Sequence, residues 1–235
     1  MDQTKERTNL TAGAMAAIVL VTAIWGFNFI VIKVGVEGVP PLLLASLRFI
    51  LSALPAVFFV RRPAVSWTLL AAYGLFLGVG EFGFLFTAIK LGAPPGVSSI
   101  ILQSQAFFTA LLAAWALREK IRPESIVGMA IAGVGLVLIA RQSLMGVSVA
   151  VSFLPVAMVL AAAFFWAAAN IVAQKMPKAD GLSLMIWSSV FSPVPLLALS
   201  IVFERQSFAG ALAALKPISV GALAYLVILS TLFGY

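Results

Sequence analysis

Two amides sit near the middle of the apolar stretch at 98–119, SSIILQSQAFFTALLAAWALRE: Gln103 and Gln105. A carboxamide both donates and accepts hydrogen bonds. In hydrocarbon such a group is costly unless it meets a partner or a water-filled path, so it marks either a helix–helix contact or a solute route. Two positions apart is about 200° around a helix, so the pair cannot face one pore. One can bind solute while the other ties helices together. Ser99 shares the Gln103 face and Thr109 the Gln105 face, by i,i+4 spacing. Glu81, in GVGEFGF, is the one carboxylate deep inside an apolar run. Proton coupling is the usual use of such an acid; the alternative is a structural acid, uncharged or paired to Arg48. Arg48 lies several residues into another apolar run. It either meets a substrate carboxylate, which guanidinium binds bidentately, or snorkels to the interface as Lys33 is expected to do. Trp25 precedes Asn28, and Trp166 precedes Asn170, by about one helical turn. The tryptophans read as gate or packing residues, and Asn28 and Asn170 as substrate-binding candidates with Gln103, Gln105, Ser99 and Arg48.

The absent residue types narrow the chemistry. The 235 residues include no His and no Cys, which removes the commonest general base and metal ligand, thiolate catalysis and disulfides. No GxxxxGK[ST] loop, HExxH or GxSxG is present, so the expectation is a protein that is not an enzyme, needs no cofactor or metal, and does not draw on ATP through this chain. No TVGYG-like filter argues for a channel.

The elements that position these residues follow from composition. The chain is 63% hydrophobic and only 10% charged, whereas a soluble domain is nearer half apolar and a quarter charged. The fold class is therefore all-α polytopic membrane protein, with the lipid bilayer as its surroundings. The net charge of +7 is not a nucleic-acid signal, because the basic residues sit singly or in pairs at the ends of apolar runs. After a polar lead, 1–11, spans are expected at 12–32, 41–60, 67–89, 94–117, 124–140, 151–174 and 182–203, with an eighth starting near 218. An N-terminus on the cytoplasmic side places Lys5, Arg7, Arg61, Arg62, Arg118, Lys120, Arg122, Lys175 and Lys178 inside. It leaves Lys33, Lys90, Arg141, Arg205 and Lys216 outside, and that bias favours this orientation. Gly74 and Gly78 form a GxxxG pair suited to close helix packing, within one chain or in a homodimer. The eighth run stops at Tyr235 without an anchor, which reads as a chain cut short.

Internal similarity points the same way. AIWGFNFIVIK at 23–33 and FFWAAANIVAQK at 164–175 are alike, and Tyr73 and Tyr225 hold similar places in the third and eighth runs. A five-helix unit would be odd in number, so two copies would insert with opposite orientation and place a site at the midplane. The copies would be 12–140 and an incomplete 151–235, about seven and a half spans of ten, with roughly 50–60 residues to follow.

The runs WGFNFIVIKVG, LRFILSALPAVFF and REKIRPESIVGMAIAGVGLVLI resemble the EamA half of the drug/metabolite transporter superfamily. The resemblance covers essentially the whole chain. It implies ten helices in two inverted five-helix repeats, a bacterial cytoplasmic-membrane location, and export of small metabolites by alternating access. LQSQAFFT at 102–109 is the more specific signal, and its resemblance narrows the expected substrate to a small zwitterion such as O-acetylserine or cysteine. Another amino acid, drug or lipid intermediate of the same superfamily is the alternative, and a non-transporting scaffold or inert fragment the competing class.

Overall fold

A computed structural model describes residues 11–120, 123–144, 152–205 and 216–234. The polar lead up to residue 10 and the stretches 145–151 and 206–215, which hold much of two expected links, lie outside the described residues. Every regular element among the described residues is helical, as the composition requires. Five helices are long and apolar enough to cross a membrane, six when one bent pair counts as a single span. The protein is an all-α polytopic membrane protein.

The first span, α1 (Ala12–Gly38), is longer than the apolar run suggested. It continues past Lys33, which is exposed on its flank. Thr11 starts it by accepting the Ala14 N–H, as an N-cap side chain does. The second span is α2 (Pro41–Ala53) plus a 3₁₀ turn, Ala56–Phe58. The third runs as α3 (Trp67–Gly74), a π-helical segment Leu75–Phe82, and α4 (Gly83–Lys90). Such π segments cluster at functional sites, and this one carries Glu81.

The fourth expected helix is broken. It divides into α5 (Pro95–Leu102) and α6 (Gln105–Ala116). At the joint the N–H groups of Gln103, Ser104, Ala106 and Phe107 each bond three residues back, the tighter 3₁₀ pattern that often marks a hinge. Neither Pro nor Gly stands there. The fifth element, α7 (Pro123–Leu144), outruns the expected 124–140. The sixth is α8 (Phe153–Gln174). The seventh, expected as one helix, is α9 (Gly181–Ser189) and α10 (Pro193–Glu204), bent by 42°. Pro193 and Pro195 lack the N–H groups a continuous helix would need there. The eighth is α11 (Pro217–Tyr225) followed by a second π segment, Leu226–Phe233.

Packing is reciprocal between the first half of the chain, up to 144, and the second half, from 152. α1 lies against α11, while α8 lies against α3, the first π segment and α4. α2 meets the second π segment; α9 meets α3, and α10 the first π segment. α2 and α10 pair along their length. The close approach offered by Gly74 and Gly78 is made within the chain. A Cβ at Gly74 would run into the Ser188 carbonyl, and one at Gly78 into the Ser192 hydroxyl. The Ser192 hydroxyl in turn donates to the Gly74 carbonyl at 2.8 Å.

Candidate functional site

α2 is held by the second half at several points, and this fixes where Arg48 goes. Proline stands at both Pro40 and Pro41, and no side chain of its own caps the helix. Instead the Glu204 carboxylate, at the end of α10, accepts the N–H groups of Leu42 at 2.7 Å and Leu43 at 3.3 Å. An anion at a helix start meets both the unsatisfied donors and the positive end of the dipole. One turn on, the Ser46 hydroxyl donates to the Pro193 carbonyl at 3.0 Å. At the far end, Trp187 Nε1 donates to the Val60 carbonyl at 3.1 Å.

Between these points Arg48 is driven inward. Its side chain is 1% exposed, so it does not snorkel. Nε donates to Thr231 Oγ1 at 2.9 Å and Nη2 to Ser230 Oγ at 3.3 Å, both on the second π segment. The guanidinium carbon lies 4.0 Å from the centre of the Phe82 ring, in cation–π range. Glu81, beside Phe82 on the first π segment, is 4% exposed and within electrostatic reach of Arg48. Its Oε2 has no hydrogen-bond partner, and neither has Oδ1 of Asn28, which is 8% exposed on α1.

These groups line one cavity of about 540 Å³, within the range of small-molecule sites. Arg48, Glu81, Asn28, Ser99, Gln103, Trp25 and Trp166 all contribute to its wall. Gln103 reaches it from the 3₁₀ joint of the fourth span, and Ser99 from one turn earlier. Phe29, Phe82 and Leu85 supply apolar wall, and Thr22 and Ser230 add hydroxyls.

Gln105 and Asn170 are placed elsewhere. Asn170 Nδ2 donates to Gln105 Oε1 at 3.1 Å, and the Thr109 hydroxyl donates to the same oxygen at 3.3 Å. This network joins α6 to α8 beside the Phe108–Phe164 edge contact. The two glutamines thus divide the roles open to them, one toward the cavity and one toward a neighbouring helix.

Ser230, Thr231 and Glu204 had gone unremarked as functional groups. Adjacent hydroxyls in the apolar run LSTLF were the available signal for the first two. Glu204 offered none beyond its position at a helix end, because the backbone N–H groups it accepts lie more than 160 residues away.

Helices that cross a bilayer and enclose a cavity with a buried cation, a buried acid and amides make the framework of a solute-carrying membrane protein. Comparison with known proteins agrees. The EamA-like transporter family matches residues 12–141, and the chain belongs to that family. A probable amino-acid metabolite efflux pump of Salmonella typhimurium is 42% identical over 221 residues, 92% of this chain and 73% of that protein. One of the same description from Escherichia coli is 40% identical, over 95% of this chain and 75% of that protein. An uncharacterized transporter of Bacillus subtilis is 28% identical over 81% of this chain and 67% of its own length.

Proposed function

We propose that this transporter exports small zwitterionic amino-acid metabolites, O-acetylserine and cysteine among them, across the cytoplasmic membrane, with its N-terminus on the cytoplasmic side. The observation behind this reading is a cavity whose lining includes both a buried arginine, Arg48, and a buried acid, Glu81. An all-apolar tunnel would offer a zwitterion nothing in exchange for its hydration. The similarity to the Salmonella and Escherichia proteins, both described as probable amino-acid metabolite efflux pumps, supports the direction and the substrate class.

The working cycle is alternating access, with one five-helix repeat, 12–140, rocking against a second that begins near 151. The reciprocal packing of α1 on α11 and α8 on α3 and α4 supports that division. Lining of the cavity by α1, α2 and the first π segment together with Trp166 of α8 and Ser230 of the second π segment supports a site between those halves. The test is overproduction of the complete protein in a bacterial host, with O-acetylserine and cysteine measured outside the cells. The expected result is a rise in extracellular metabolite that Gln103→Leu removes while membrane levels of the protein stay unchanged. No rise with the wild-type protein, or full export by Gln103→Leu, rejects the reading or the role of the amide respectively.

A further inference from the structure

Two residues that line the cavity each carry a buried oxygen with no hydrogen-bond partner in the protein. Asn28 Oδ1 belongs to α1 and Glu81 Oε2 to the π segment of the third span; both residues are more than nine-tenths buried, and both line the same volume. A buried acceptor without a donor is destabilising, so this pair favours a ligand that brings N–H groups. The guanidinium of Arg48 lies within electrostatic reach of Glu81, yet two of its nitrogens are committed to Thr231 and Ser230. The wall thus presents a fixed cation and, near it, oxygens with free acceptor capacity.

We propose that Asn28 and Glu81 form the ammonium subsite of the cavity, and that Arg48 receives the carboxylate of the same ligand. This rests on the zwitterion reading above and adds which residue holds which end. An ammonium group carries three donors and no acceptor, which is the complement of two oxygens that lack donors. The guanidinium fork suits a carboxylate and repels an ammonium, so the ligand enters in one orientation. The volume of about 540 Å³ would hold roughly eighteen waters at about 30 Å³ each. An amino acid anchored at its two charged ends leaves room for its side chain toward Gln103, Ser99 and the aromatic wall.

The experiment is calorimetric titration of the complete, purified protein with three probes: cysteine, cysteamine, which lacks the carboxylate, and 3-mercaptopropionate, which lacks the amine. Each is run in sodium and in choline buffer. Glu81→Gln is expected to weaken cysteine and cysteamine at least tenfold, the scale of a hydrogen bond to a charged group, and to leave 3-mercaptopropionate within twofold. Asn28→Ala follows the same pattern and serves in place of Glu81→Gln should that variant not fold. Arg48→Gln shows the converse, losing cysteine and 3-mercaptopropionate while sparing cysteamine. Equal losses for all three probes in Glu81→Gln and Asn28→Ala, or no loss for any, overturn the subsite. Cysteine binding that needs sodium and loses that need in Glu81→Gln also overturns it, by assigning the oxygens to an inorganic cation. A folded wild-type protein that binds none of the three probes refutes the zwitterion reading itself.

Discussion

Replacing Glu204 with alanine removes the cap of a helix in the other half of the chain. Glu204 ends α10 just before Arg205, whose φ of 52° turns the chain out of the helix. The carboxylate thereby faces the start of α2. Its bond to the Leu42 N–H is 2.7 Å and that to Leu43 is 3.3 Å; the first is short and charge-assisted, the second weak at that length. A hydrogen bond to a charged group contributes about 1.5–3 kcal/mol, and loss of an N-cap costs about 0.5–2 kcal/mol. The two ranges describe one interaction and overlap near 2 kcal/mol, roughly a thirtyfold change in the folded ratio. Glu204→Gln keeps an acceptor for Leu42 but loses the charge, and is expected to cost about half as much. The assay is SDS-driven unfolding of the complete protein in mixed micelles. The Ser200 hydroxyl donates to Glu204 Oε2, which supplies a control: the cost of Ser200→Ala is expected to vanish when Glu204 is already alanine. A Glu204→Ala protein within about 0.5 kcal/mol of wild type, half the typical cost of an N-cap, would show that the contact does not hold α2 and refute this account of how Arg48 is positioned.

Three further outcomes follow from the packing and the charge pattern. Gly74→Ala forces a methyl against the Ser188 backbone carbonyl, which cannot rotate away, and should cost about 3 kcal/mol, the upper end of overpacking, in the same unfolding assay. Gln105→Leu and Asn170→Leu should each cost about 1 kcal/mol, with the double variant no worse than either single one, since both remove the same bond. A reporter enzyme fused after Arg62 should show cytoplasmic activity; activity on the outer side would reverse the orientation drawn from the basic residues.

Most of the fold was legible because each span is a long apolar run with polar or Pro/Gly punctuation, a signal that owes little to distant partners. Its interruptions were less so. Pro193 and Pro195 announce the bend in the seventh span, but the run from 98 to 117 shows no breaker, and its 3₁₀ joint at Gln103 and Ser104 was invisible. Reading that run as one helix still separated Gln103 from Gln105. The π segment holding Glu81 has Gly78 and Gly80 within it and Gly74 and Gly83 at its ends, whereas the one in the eighth span, Leu226–Phe233, contains no glycine. The destination of Arg48 depended on Thr231 and Ser230, 183 and 182 residues away; nothing within α2 distinguishes a buried guanidinium from a snorkelling one.

The proposed repeat also bears on why the chemistry is one-sided. An inverted pair of helical units supplies each position twice, yet an amino acid has different ends and can use a given constellation only once. Asn28 and Asn170 hold corresponding places after their tryptophans, but Asn170 is bonded to Gln105 while Asn28, whose Oδ1 has no partner, lines the cavity. Aligning Ser52 and Pro55 with Ser192 and Pro195 sets Arg48 opposite Ser188, which is buried against Gly74. Aligning Tyr73 with Tyr225 sets Glu81 opposite Phe233. On that division the charged groups would belong to the first copy, and the Arg48 partners Ser230 and Thr231 to the second. Any rocking of one half against the other must stretch or break the bonds that hold the guanidinium, so a carboxylate that binds Arg48 bears directly on the contact joining the moving parts. On the zwitterion reading, ligand occupancy and conformational change meet at this one residue, which is how a ligand comes to have different affinities for the two states, as transport by alternating access requires.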